Sequence, residues 1–185
     1  MFSAAMRELA ALYISELTQG MFDDGDEAWP DEQTDAKAGQ IKTALDTPNL
    51  TRTYEKLFGA AAVAQKATGA PMMIHVEKGS DPLELLDYLR GQGVSPNRLI
   101  FCHLDRACAD MAVHKWIASA GCYLEYDTIG RFKYHSDERE CGIIREMLAE
   151  GFKERILLSL DTTRSRLGAY GGDIDLCYLI NHFLP

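Results

Sequence analysis

The sequence predicts an α/β protein built on a parallel sheet, and three observations carry the prediction. Short apolar runs alternate with amphipathic helical stretches along the chain. Each helical stretch stops at a glycine or polar turn before the next apolar run begins, at intervals near thirty residues. Strands that alternate with helices at that spacing require crossover connections, and right-handed crossovers place successive strands side by side and parallel. Finally, four of the apolar runs end on a polar residue: Lys42 after Ala38–Ile41, His75 after Met72–Ile74, His103 after Leu99–Cys102, and Asp161 after Ile156–Leu160. In a parallel sheet those side chains gather at one edge, where a lysine, two histidines and a carboxylate have the chemistry to hold divalent metal.

Each element has a local justification. Ser3 to Gln19 carries an apolar stripe at Met6, Leu9, Ala10, Tyr13, Ile14 and Leu17, as expected of a lead helix over residues 1–19 that packs on a sheet. Residues 20–35 hold seven acids with Gly25 and Pro30 and no hydrophobic period, which reads as an exposed, solvated acidic loop. The βα repeats then occupy 36–185, and the whole of 1–185 is read as a single domain. A helix is expected from Thr51 to Thr68, stopping at Gly69 in the left-handed position past its end. Another begins with Asp81 as N-cap, Pro82 in the first turn and Glu84 reaching back to the cap, and runs to Gly91. A third is expected over Ala107–Ala120. The fourth, Ser136–Glu150, starts with Asp137, Glu138 and Glu140 against the helix dipole and buries Ile143, Ile144, Met147 and Leu148. Cys122–Tyr126 supplies a further strand between the last two.

Composition and charge narrow the function. Hydrophobic residues are 46% and charged residues 25% of the chain, as in globular proteins, and no apolar stretch approaches a bilayer span. The N-terminus lacks the basic start and cleavage site of a secretory signal, so a cytoplasmic location without membrane attachment is expected. The net charge of −9 opposes binding to phosphate backbones, and no nucleic-acid partner is expected. The five cysteines are odd in number and show no Cys-x-x-Cys pairing, so they read as reduced thiols, with Cys102 pointing away from the face that carries His103.

Singly, each candidate has a plainer role. A lysine is usually solvated, and a histidine at a strand end is usually hydrogen-bonded structure. His114 follows a helical period as a surface residue. His135 precedes a helix as a capping or solvent-facing residue, and His182 packs in the last helix. Arg106, Asp127 and Arg164 fall in loops after strands, where a barrel places substrate contacts, and surface salt bridges are their alternative.

Six ordered blocks carry a family resemblance: Ala38–Lys42, Ala64–Pro71, Ile74–Glu77, Cys102–Arg106, Tyr123–Gly130 and Ile156–Asp161. Over residues 36–185 the chain resembles the phosphotriesterase family of the amidohydrolase superfamily, in its phosphotriesterase-homology and lactonase-like branch. The resemblance implies a (β/α)8 TIM barrel with a two-metal centre, here a partial barrel carrying strands four to eight with the first three missing. By that likeness Lys42 is the lysine whose carbamate bridges two divalent metals, zinc foremost. His75 and His103 are imidazole ligands, and Asp161 binds metal and takes the proton of the attacking water. The implied activity is hydrolysis of a small-molecule ester, a lactone or phosphoester. The family's His-x-His pair on strand one has no counterpart, since no two histidines here stand two apart. That departure leaves one well-held ion as the expectation and keeps open a second reading, an inert partial barrel serving as a structural or interaction module. Open sheet edges would favour a homo-oligomer that covers them.

Overall fold

The structure, a computed structural model, describes residues 4–23 and 33–184. Its five strands are β1 (Ile41–Leu45), β2 (Met72–Val76), β3 (Leu99–Cys102), β4 (Tyr123–Tyr126) and β5 (Ile156–Leu158), and they form one sheet in chain order. The register is parallel where β1 meets β2 and where β4 meets β5. The expected α/β fold on a parallel sheet is therefore present. The chain divides into two compact units, Met1–Ile100 and Phe101–Pro185.

In the first unit, α1 (Ala4–Thr18) lays Met6 and Ala10 on Ala60 of α2 (Arg52–Thr68), with Leu9, Tyr13 and Val63 packed around them. Thr51 caps α2 by accepting from Tyr54 N, and Gly69 ends it at φ 75°, a left-handed conformation that glycine adopts without steric cost. Asp81 accepts from Leu83 N and Glu84 N at the start of α3 (Pro82–Gly91). Glu84 departs from expectation: its Oε2 accepts from Leu50 N at 2.9 Å, anchoring the preceding loop instead of returning to the cap. The centre of the acidic loop, residues 24–32, lies outside the described residues; its flanks are joined by an antiparallel bridge between Phe22 and Gln33.

The second unit corrects three sequence expectations. The helix expected over Ala107–Ala120 starts later, as α5 (Met111–Ser119), and Ala107 instead ends a separate short helix, α4 (Leu104–Ala107). Cys108 turns extended after α4, and Asp110 starts the next helix by accepting from Ala112 N at 2.9 Å. His114, expected on the surface of that helix, is fully buried. Its Nδ1 lies 2.9 Å from the Tyr126 hydroxyl, and its Nε2 is 3.0 Å from the Cys108 carbonyl oxygen. α6 (Asp137–Ala149) begins where expected, capped by Ser136, and buries Ile143 and Met147; Leu148, expected in the core, is 46% exposed, because it lies one residue round the helix from Met147 and off the packed face. A small core of Ile129, Leu160 and Ile174, with Leu158, Tyr178, Leu179 and Phe183 against it, closes the C-terminal part. His182 stacks on Tyr178 at 5.2 Å between ring centroids.

Burial alternates along the strands. Ile41, Thr43 and Leu45 of β1, and Met72, Ile74 and Val76 of β2, are buried, whereas Lys42, Ala44, Met73 and His75 are not. A strand's side chains alternate between faces, so the residues left less covered share one face. Among the described residues no helix is long and apolar enough to cross a membrane.

Candidate active site

In the first unit, Lys42 and His75 stand within their strands, not after them: Lys42 is the second residue of β1 and His75 the fourth of β2. The β1–β2 register pairs Lys42 with Met73 and Ala44 with His75, which places the lysine and the histidine on the same face two residues apart along the strands. Both line an open groove of about 560 Å³ whose wall also includes Asp46 and Glu77. His75 Nε2 lies 3.3 Å from Glu77 Oε2.

In the second unit, His103 follows β3 at φ 66° and Asp161 follows β5 at φ 40°. Among the described residues they are the two non-glycine residues with positive φ. Such backbone costs on the order of 1–3 kcal/mol and persists where surrounding structure imposes it, most often at functional sites. Here the imposing structure is visible. His103 Nδ1 is 2.7 Å from Asp127 Oδ1, and both residues are buried. Asp105, also buried, fixes the segment that carries Asp127: its Oδ2 accepts from Asp127 N at 3.0 Å, from Thr128 N at 2.7 Å and from the Thr128 hydroxyl. Burial raises the Asp127 carboxyl to about 6, against the lowering effect of its bond to His103. Asp161, half exposed, is paired with Arg131.

Asp127, expected among substrate contacts, is thus 2% exposed and occupied by His103. Arg106 and Arg164 lie over aromatic rings, Arg106 at 4.8 Å from the Tyr134 centroid and Arg164 at 4.6 Å from that of Tyr170. The Cys102 thiol lies within 4.8 Å of carboxylate oxygens of Glu125 and Asp127.

Arg131 and Lys133, which the sequence reading did not single out, line a second open pocket of about 340 Å³ with Arg166, Thr163, Ser165 and Asp173. Arg166 donates to the carbonyls of Leu160 and Gly130 at 2.7 and 2.9 Å, which holds its guanidinium beside Arg131. His135, expected in a capping or solvent role, places Nε2 3.2 Å from Glu140 Oε2, and Glu140 is fully buried. Burial and then the nearby Asp105 carboxylate push the Glu140 carboxyl up to about 9.

The phosphotriesterase family model matches residues 2–185. The chain belongs to that family. The phosphotriesterase homology protein of Escherichia coli is 33% identical over 183 residues, covering 98% of this chain and 59% of that protein. A crystal structure of that protein with phosphate in its active site superposes with a TM-score of 0.85 over 97% of this chain and 59% of the other, at 32% identity. An N-acetyltaurine hydrolase of Xenopus tropicalis is 29% identical, covering 99% of this chain and 53% of its own length. A phospho-furanose lactonase of Mycoplasmopsis synoviae is 28% identical, over 96% and 52%. The chain thus spans about half the length of the phosphotriesterase-family relatives it matches, which include a hydrolase and a lactonase by name.

Proposed function

We propose that the protein is a metal-dependent hydrolase that cleaves an ester bond, a lactone or phosphoester, in a small substrate carrying an anionic group. The observation that carries the reading is the coincidence of strain and chemistry. The two strained non-glycine residues, His103 and Asp161, are an imidazole and a carboxylate, each held by a partner that orients it.

The donor set fits a divalent cation such as zinc. Asp127 holds His103 Nδ1, the arrangement in which a carboxylate fixes the tautomer and orientation of a ligating imidazole. A carbamate on Lys42, which lines the groove, would supply two anionic oxygens. Lys42, His75, His103 and Asp161 would hold the metal, which when bound polarises the scissile bond and acidifies water. Asp161 accepts the proton from the attacking water, and its pairing with Arg131 aims that carboxylate. Arg131, Lys133 and Arg166 supply the positive wall that meets an anionic substituent, with Arg106 and Arg164 held on tyrosine rings as further contacts. Relatives named for phospho-furanose and N-acetyltaurine substrates support an oxyanion of phosphate or sulfonate type. The second of those names describes an amide, so the amide bond is the second reading for the same machinery.

The test is turnover by the purified chain, loaded with zinc in bicarbonate buffer, across phosphorylated lactones, phosphoesters and N-acyl sulfonates. We expect an anionic lactone or phosphoester to be cleaved and Asp161→Asn to lower kcat by about 10²–10⁴-fold with metal content unchanged. Preference for the N-acyl sulfonate would select the amide reading. Absence of turnover with metal bound would select the inert module.

A further inference from the structure

We propose that Asp105, His135 and Glu140 form an additional divalent-cation site, built from none of the residues assigned to the hydrolytic centre. One donor atom from each lies within 4.8 Å of the others, a spread that a single ion ligated at about 2 Å can draw together. Asp105 comes from α4, Glu140 from the first turn of α6, and His135 from the segment just before that helix.

Two features point to a cation here. Glu140 is fully buried and His135 Nε2 sits on a side chain 8% exposed, yet neither Glu140 oxygen nor Nε2 meets a fixed donor: what faces Glu140 is the Asp105 carboxylate, with which its carboxyl shares a proton, and Nε2 itself. Buried polar atoms in native proteins are nearly always paired, and an unpaired carboxylate is among the most costly. The histidine tautomer sharpens the point. His135 Nδ1 is 3.1 Å from the Ser136 carbonyl, which can only accept, so Nδ1 carries the proton. In the neutral ring Nε2 is then an acceptor, 3.2 Å from Oε2 of a Glu140 carboxyl that burial keeps protonated, so the carboxyl's own proton bridges the pair until a cation replaces it. The carboxylates acting most strongly on Glu140, those of Asp105, Asp127 and Asp137, add negative potential to the same spot. One imidazole and two carboxylates suit zinc or manganese.

The site would act as a clamp. Asp105 already holds the Asp127–Thr128 segment, and Asp127 holds His103. An ion shared by Asp105, His135 and Glu140 would bind that frame to the start of α6.

The experiment strips the full chain with chelator, returns Zn²⁺, removes the excess and counts bound metal, with thermal unfolding followed in parallel. Wild type should hold one equivalent more than Glu140→Gln and His135→Leu. It should also show a zinc-dependent rise in Tm of about 5 °C or more that both variants lose. His75→Ala should keep that rise, so loss of the proposed hydrolytic metal is read separately. Glu140→Gln preserves shape and replaces a carboxyl that burial already keeps neutral with a neutral amide, so it should fold; His135→Leu carries the same comparison at a different position. Equal zinc content in wild type and both variants, or a rise in Tm that survives in both, would overturn the proposal. So would a Glu140→Gln protein that gains stability while wild type shows no response to zinc, because Glu140 would then simply be a protonated acid beside Asp105.

Discussion

The two units hold their candidate residues by different physical means. In Met1–Ile100, Lys42 and His75 ride on regular parallel strands, and strand alternation alone directs them to the less covered face. In Phe101–Pro185, His103 and Asp161 leave strand geometry for left-handed backbone, and a buried network stands behind His103. Direction along a strand comes free with the ladder. A left-handed histidine has to be imposed, and the imposing groups are themselves buried and mutually dependent. The costs of substitution should therefore be lopsided, affecting metal binding alone in the first unit and the fold as well in the second.

The largest expected effect is at Asp105. Removing its carboxylate strands the Asp127 and Thr128 amides and the Thr128 hydroxyl in a buried place, at about 3–5 kcal/mol, or a fall in Tm of roughly 10 °C. Lys42→Ala, on an exposed side chain, should change stability by no more than about 0.5 kcal/mol. Thermal unfolding of both variants in chelator decides the matter. A Lys42→Ala protein as damaged as Asp105→Ala would end the contrast.

A smaller effect belongs to His114 and depends on pH. Burial lowers its pKa, outweighing the Cys108 carbonyl bond and the carboxylates of Asp105, Asp110 and Glu146, which raise it. In the unfolded chain the ring titrates near 6.5, so below that pH the unfolded state takes up the proton first. Stability from this residue is present above about pH 6.5 and is lost as pH falls, by at most about 1.4 kcal/mol per pH unit until the folded pKa is reached. His114→Gln should be the less stable protein at pH 7.5, and the gap should narrow on going to pH 5. Denaturant midpoints across that range would show it, and a constant gap would mean that His114 is not held neutral.

What the sequence made legible was local. Strand alternation, the N-cap at Asp81 and the glycine stop at Gly69 depend on neighbours a few residues away, and each is found where expected. Lys42, His75, His103 and Asp161 could be singled out because each sits in or beside an apolar run. The rest was set by tertiary burial. Glu140 stands in a run with Asp137 and Glu138 that reads as helix-dipole acids, and only the folded chain separates the fully buried one from its exposed neighbour Glu138. His114 shows a surface period in sequence because its partners, Tyr126 and the Cys108 carbonyl, come from a strand and from a helix end that the sequence did not reveal. Arg131 carries no motif of its own and became visible only through its pairing with Asp161.

The finest test of the contrast compares alanine with glycine at one position in each unit. At Asp161, both substitutions lose the Arg131 pair equally, so their difference reports the backbone alone. At φ 40° an alanine Cβ meets its own carbonyl, whereas glycine does not, and Asp161→Gly should be more stable than Asp161→Ala by about 1 kcal/mol. At Lys42, inside β1, the order should reverse, since glycine in a strand loses more entropy on folding and alanine should win by roughly 0.5–1 kcal/mol. Chemical denaturation of the four variants in chelator measures both differences. Opposite signs at the two positions confirm that one unit directs its ligand by regular pairing and the other by enforced backbone; the same sign at both would mean that Asp161 relaxes once its side chain is gone, and that its left-handed turn is held by the Arg131 pair and not by the frame.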